Sequence, residues 1–334
     1  MKSVGVLGAG SWGTALAKLI ADQGIETRLW SRRQEQADAI NRDHRNPRYL
    51  KEAVLPECLR ATSDMNEVLD GADFVIVAVP TSANRPVLRD AVPMIAEGVP
   101  VLSATKGIEQ GSLKLVSGIF EEIFPESRHR SLTYLGGPSF AREVTEGVPT
   151  VVAVAGHDES TRVSVQGWLN TERFRVYTTD DVIGVEVGGA LKNVMAIAAG
   201  IADGMKFGHN TRAAIITRGL AELTRMAVKL GGNPLTLAGL GGMGDLVLTC
   251  TGDLSRNRQV GIGLGQGKKL PQILEELGMV AEGVMTAKSA YELSKREGVE
   301  MPIAEQVYQI LHEDKPPEVA MVELMTRPLK EERF

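Results

Sequence analysis

"SVGVLGAGSWGTALAKLIADQG", Ser3 to Gly24, reads as a strand that turns through glycines into a helix. The apolar run ends at Leu7, and Gly8, Gly10 and Gly13 follow in G-x-G-x-x-G spacing. Leu16, Leu19 and Ile20 then recur on one helical side. Each glycine has its own task in that setting. Gly8 permits a tight turn, Gly10 lets the backbone approach a pyrophosphate, and Gly13 lets the helix lie close against the strand. The helix N-terminus would face the anion with unpaired N–H groups and the positive end of its dipole. The fingerprint alone is weak evidence, since a glycine-rich turn need bind nothing. Its position directly after a strand, with "IETRLWSR" (Ile25–Arg32) supplying a second strand at the expected distance, makes it a dinucleotide-binding signature.

The end of that second strand bears on which dinucleotide. An acidic residue there would accept from the ribose 2'-hydroxyl of NAD and repel a 2'-phosphate. "LWSRRQEQ" has none and places Ser31, Arg32 and Arg33 at the position, which suits charge-assisted bonds to NADP, with NADPH preferred over NADH. The plain alternative is a solvated basic turn. "ADFVIVAVPT" (residues 72–81) and "GVPVLSATKG" (98–107) read as buried parallel strands. Lys106, followed by Gly107, then lies at the carboxyl ends of the strands, where open α/β sheets bind ligands. "YLGGPSFAREV" adds a strand and a Gly136-Gly137-Pro138-Ser139 turn whose amides and hydroxyl suit an oxyanion. "TVVAVAG" and "FRVYTTDD" read as the last strands, and the character of the chain changes near Asp180.

From Ile183 onward the pattern is helical, rich in alanine, leucine and methionine. The expected fold class is α/β, an N-terminal Rossmann-like doubly wound sheet over residues 1–180 followed by an all-α domain over 181–334. "VEVGGALKNVMAIAAGIADG" (Val185–Gly204) sets Lys192 among small apolar residues. A lysine there is costly, because burial disfavours its ammonium. It could snorkel from a helix surface or pair with Glu186. The small neighbours would equally let a ligand approach, and Asn193 adds a polar group beside it. "GLGGMGDLVLTCTGDLSRNRQVG" (residues 239–261) reads as loops holding Asp245, Thr249, Ser255, Arg256, Asn257 and Arg258, donors suited to a phosphate. Ser255 is alternatively a helix N-cap. "MVAEGVMTAK" (residues 279–288) puts Val280 and Glu282 in a further loop.

Composition narrows the class of partner. With 37 Lys and Arg against 42 Asp and Glu, a net charge of -5, the chain lacks the basic excess of a general nucleic-acid or anionic-membrane binder. Two cysteines, Cys58 and Cys250, show neither metal-ligand spacing nor a disulfide framework, so no metal is expected and a reducing cytoplasm fits. No signal peptide or uninterrupted run of membrane-spanning length is expected. The oligomeric state is open, a homodimer included.

The segments "GAGSWGTALA", "ATKG", "GGPSFA", "GVEVGGALKNVMAIAAG", "GLGGMGDLVLTCTGDLSRNR" and "VAEG" closely resemble bacterial NAD(P)-dependent glycerol-3-phosphate dehydrogenase over nearly the whole chain. The resemblance implies cofactor contacts at Ser11, Trp12, Arg32, Arg33, Lys106, Ala141, Arg256, Val280 and Glu282. It implies substrate contacts at Lys106, Gly137, Ser139, Lys192, Asp245, Ser255, Arg256 and Asn257. It further implies reversible reduction of dihydroxyacetone phosphate to sn-glycerol 3-phosphate for phospholipid synthesis in the cytoplasm. Lys192 matches the family's proton-transfer residue, and the active site is expected between the two domains. Two other readings stand beside it: a 3-hydroxyacid-type dehydrogenase, whose carboxylate substrate would replace the phosphate, and an NADP-sensing protein without turnover.

Overall fold

Every residue of Ser3–Leu7 is buried, as expected of a strand covered on both faces. The computed structural model describes residues 1–278, 281–329 and 331–332. Chain contacts divide it into two units, Met1–Lys106 with Val116–Val182, and Gly107–Leu115 with Ile183–Phe334.

In the first unit the elements run β1 (Ser3–Leu7), α1 (Ser11–Ala21), β2 (Glu26–Trp30), α2 (Gln34–Asp43), β3 (Leu59–Thr62), α3 (Met65–Leu69), β4 (Phe74–Val77), α4 (Thr81–Ala91) and β5 (Val101–Ser103). They continue as α5 (Val116–Ile123), β6 (Leu132–Gly136), α6 (Ala141–Thr145), β7 (Thr150–Ala155), α7 (Glu159–Leu169) and β8 (Phe174–Thr179). The eight strands form one sheet in the order β3-β2-β1-β4-β5-β6-β7-β8. All neighbours are parallel except β6 and β7. The order reverses between β1 and β4, so their carboxyl ends flank the crevice where doubly wound sheets bind ligands. Two features lie beyond what local pattern predicts. β3 is a strand, although "LRAT" is short and its alternate residue Arg60 is exposed, which hides it from a search for apolar runs. β7 runs antiparallel to β6, a direction that strand composition does not encode.

The second unit comprises α8 (Val182–Gly204), α9 (Gly208–Lys229), α10 (Pro234–Ala238), a π-helical turn at Leu240–Gly244, α11 (Asp245–Thr251), α12 (Arg256–Gly265), α13 (Leu270–Leu277), α14 (Glu282–Glu297), α15 (Pro302–His312) and α16 (Pro317–Met325). The stretch expected as loops, residues 239–261, is therefore mostly helix, and Glu282 opens a helix where a loop was expected. Its many glycines suggested loops, but helices accept glycine where backbones must touch. At the crossing of α8 and α12, a Cβ on Gly200 would lie 2.1 Å from the Arg258 carbonyl oxygen, and one on Gly261 would lie 2.1 Å from that of Ile197. Leu191, Val194, Met195 and Ile197 of α8 are fully buried, and Ile108 from the 107–115 segment joins the same core. By length and mean hydropathy α8 is the one helix among the described residues that could cross a membrane, but Glu186, Lys192 and Asp203 interrupt it and 83% of its most apolar stretch is buried inside the protein.

Candidate active site

The β1–α1 turn is built as its glycines require. Gly8 has φ +117, and a Cβ there would lie 2.6 Å from the Ala78 carbonyl oxygen beyond β4. Gly13 sits so close that a Cβ would fall 1.9 Å from the Gly8 carbonyl oxygen. Gly10, by contrast, faces open space and caps α1 without a side-chain hydrogen bond. No acidic residue occupies the first turn of α1, so the N-terminal dipole is not quenched by a local carboxylate. Ser11 and Trp12 stand in that turn, and the Trp12 indole Nε1 is buried without a partner. Arg32 and Arg33 follow β2; both are exposed, and neither guanidinium has a protein partner among the described residues.

Two further side chains converge at the ends of β5 and β6. Lys106 Nζ donates to the Gly137 carbonyl oxygen at 3.1 Å, and Ser139 Oγ donates to the same oxygen at 3.1 Å. Gly137 has φ +110, which turns the chain sharply there, and Ala141 begins α6 just beyond. Thr105, beside Lys106, donates through Oγ1 to the Val79 carbonyl oxygen at 2.8 Å and ties the ends of β4 and β5 together.

In the helical unit Lys192 does not snorkel. Its residue is 8% exposed, and Nζ donates to Asp245 Oδ1 at 2.5 Å and to Thr249 Oγ1 at 3.0 Å. Thr249 in turn donates to the Asp245 main-chain oxygen at 2.6 Å, one turn earlier in α11. Asp245 is 0% exposed, so the ion pair is withdrawn from water, and its carboxylate offsets the desolvation of the ammonium. Cys250, next along α11, takes no part as a thiolate near neutrality, because burial pushes its thiol up to about 12.

The polar set at the start of α12 divides by role. Ser255 Oγ accepts from the Arg258 N–H at 3.2 Å, a helix N-cap. Arg258 is engaged by Asp203 and Asp253, each at 2.8 Å. Asn257 donates through Nδ2 to Asn193 Oδ1 at 2.9 Å and accepts through Oδ1 from the Gly283 N–H at 3.0 Å, joining α8, α12 and α14. Arg256, half-buried, begins α12, and Glu282, half-buried, begins α14, so the Asn257 bridge draws their helix starts together. Val280 lies outside the described residues. Thr249 and Asn193 were visible as polar neighbours in the sequence, but only their contacts give them a place around Lys192 and Asn257. Among the described residues no group of His, Cys, Asp and Glu is arranged to hold a metal ion.

Residues 3–162 match the N-terminal family of NAD-dependent glycerol-3-phosphate dehydrogenase, and residues 181–322 match its C-terminal family. The protein named glycerol-3-phosphate dehydrogenase (NAD(P)+) of Myxococcus xanthus is 54% identical over 327 residues, 98% of each chain. That of Geobacter sulfurreducens is 51% identical over 331 residues, 99% of each chain. The crystal structure of glycerol-3-phosphate dehydrogenase from Coxiella burnetii superposes with a TM-score of 0.93 at 39% identity, covering 98% of this chain and 99% of that one. With both halves matched and relatives this similar along the full length, the chain belongs to the NAD-dependent glycerol-3-phosphate dehydrogenase family and is an oxidoreductase.

Proposed function

We propose that the protein reduces dihydroxyacetone phosphate to sn-glycerol 3-phosphate, reversibly, with NADPH preferred over NADH and Lys192 as the proton donor. The buried Lys192–Asp245 pair carries this reading, because a ketone accepting hydride needs a protonated donor at its oxygen. The dinucleotide fits the first unit: the open cradle at Gly10, the uncapped N-terminus of α1 and the orphaned Trp12 Nε1 all leave polar capacity for it. When bound, it supplies the hydride that adds to the carbonyl carbon.

The remaining work falls to side chains. Lys192 transfers a proton from Nζ to the carbonyl oxygen and is reprotonated from solvent. Asp245 and Thr249 hold that ammonium in one rotamer and favour its charged form. Lys106 and Ser139, already gathered on the Gly137 carbonyl, add positive charge and a hydroxyl for the substrate. Arg256 clamps the phosphate at the start of α12, and Asn257 keeps that helix start in place. Arg32 and Arg33, unpaired by protein, meet the 2'-phosphate.

The test is NADPH oxidation followed by absorbance, with dihydroxyacetone phosphate beside a panel of 3-keto acids. Turnover of the phosphate ester alone supports the proposal, turnover of the keto acids moves it to the 3-hydroxyacid class, and tight NADPH binding without turnover leaves a sensor. The product would supply phospholipid synthesis. Two free cysteines accord with a reducing cytoplasm, and light scattering would separate a monomer from a homodimer.

A further inference from the structure

We propose that Gln36, oriented by Asn46, is a positioning residue that couples the glycine turn after β1 to the arginine turn after β2, so that the anion site and the site for the ribose 2' substituent are set together. This rests on the reading that Arg32 and Arg33 meet a 2'-phosphate.

Gln36 bonds to both turns. Its Nε2 donates to the Ala9 carbonyl oxygen, between the first two glycines, at 2.7 Å. Its Oε1 accepts from Ser31 Oγ at 3.2 Å. Ser31 in turn closes the arginine turn: its hydroxyl lies 3.1 Å from the Arg33 carbonyl oxygen, and it accepts from the Arg33 N–H at 3.3 Å. Asn46 fixes this bridge from beneath. It is 0% exposed and uses its whole hydrogen-bonding capacity. Nδ2 donates to the Ala9 carbonyl oxygen at 3.0 Å and to Thr14 Oγ1 at 2.8 Å. Oδ1 accepts from Gln36 Nε2 at 3.3 Å and from the Arg48 N–H at 3.4 Å.

The geometry has a direct consequence for anion binding. Two amides grip both lone pairs of the Ala9 carbonyl. In a trans peptide the N–H lies antiparallel to the C=O, so this grip aims the Gly10 N–H away from Gln36 and Asn46. Loss of the Ser31 hydroxyl leaves both amides on the Ala9 carbonyl, whereas loss of the Gln36 amide removes a bond from each turn. Removing Gln36 therefore loosens both turns, whereas removing the Ser31 hydroxyl loosens the arginine turn alone.

Fluorescence titration of the purified enzyme with NADPH and with NADH tests this without turnover. A net hydrogen bond is typically about 0.5–1.5 kcal/mol, so Gln36→Leu is expected to raise Kd for NADH by roughly threefold and for NADPH by roughly tenfold or more. Ser31→Ala, a small change that spares the core, is expected to raise only the NADPH value, by roughly threefold. In an Arg32→Ala, Arg33→Ala background, Gln36→Leu should weaken both cofactors by one common factor, because the arginine turn then has nothing to present. Equal effects of Gln36→Leu on both cofactors in the parent enzyme, or a selective effect that survives the arginine substitutions, would overturn the coupling. If the arginine substitutions alone leave the NADPH-to-NADH ratio unchanged, the arginine assignment fails first and takes the coupling with it.

Discussion

Lys192 and Asp245 stand 53 residues apart in the chain and 2.5 Å apart in the fold, an ammonium and a carboxylate both withdrawn from water. Neither is tolerable there alone. A charge buried without its partner costs several kcal/mol, so each group offsets the desolvation of the other.

Replacing Lys192 by Ala should reduce kcat for dihydroxyacetone phosphate by roughly 100- to 10,000-fold, the range of general acid catalysis. Affinity for NADPH, measured by fluorescence titration, should change little, since the glycine turn belongs to the other unit. A folded variant that keeps more than about a tenth of parental kcat would remove Lys192 from proton transfer.

Asp245→Asn keeps the shape and removes the charge. Losing an opposite charge at this distance makes the ammonium easier to deprotonate, so the basic limb of the kcat–pH profile should move to lower pH. An unmoved limb would mean that Asp245 serves the substrate and not Lys192.

Arg256→Ala should lower kcat/KM for dihydroxyacetone phosphate by roughly ten- to two-hundredfold, because hydrogen bonds to charged groups contribute about 1.5–3 kcal/mol. Dihydroxyacetone, which lacks the phosphate, should be a poor substrate of both proteins with a much smaller difference between them. Equal losses on both at saturating NADPH would show that Arg256 shapes the site without clamping the phosphate.

Gly261→Ala should destabilise the helical unit. The added methyl would meet the Ile197 carbonyl oxygen at 2.1 Å and Gly200 Cα at 2.8 Å, backbone atoms that have no rotamer to escape into. Overpacking of this kind costs about 1–3 kcal/mol, so Tm should fall by roughly 3–10 °C. Gly167→Ala, at an exposed position of α7 where a Cβ meets nothing, is the control and should raise Tm slightly.

Glu222 makes stability depend on pH. It is 1% exposed on α9 and accepts from the N–H groups of Ile303 and Ala304 at the start of α15, at 2.7 and 3.2 Å. Burial outweighs those bonds and the more distant Arg225 and Arg327, and pushes its carboxyl up to about 7 from 4.5. Between those values the folded protein holds a proton that the unfolded chain has released, so this group's contribution falls as pH rises through the window and is level outside it. The shift corresponds to about 3 kcal/mol. Urea unfolding at pH 5 and pH 8 should show the stability gap between parent and Glu222→Gln changing by about that amount, in the direction that favours the parent at low pH. A gap that is the same at both pH values would count against the raised carboxyl.

Much of the fold was legible from local pattern. The strand, glycine turn and helix from Ser3 to Gly24 follow from residue size and spacing, and so does the cap at Ser255. β3 escaped because four residues with an exposed Arg60 carry little periodicity, and the helices of 239–261 escaped because glycines serving helix contact look like glycines serving loops. Gln36 and Asn46 gave no signal at all: in "RRQEQADAINRDHRNPRYL" they are polar residues among many, and only their contacts with the Ala9 carbonyl distinguish them.

By itself the sequence determined whatever a backbone repeat or a single turn decides: which stretches bury both faces, where a helix begins, which glycine must take a positive φ, and that a lysine lies in an apolar helix. Tertiary structure alone decided who meets whom. Lys192 meets Asp245 because α8 closely approaches the turn before α11, at Gly188 against Gly241, and Asn257 meets Asn193 because α8 and α12 touch through Gly200 and Gly261. Those registers arise from close packing of many side chains at once, and no local spacing along the chain encodes them.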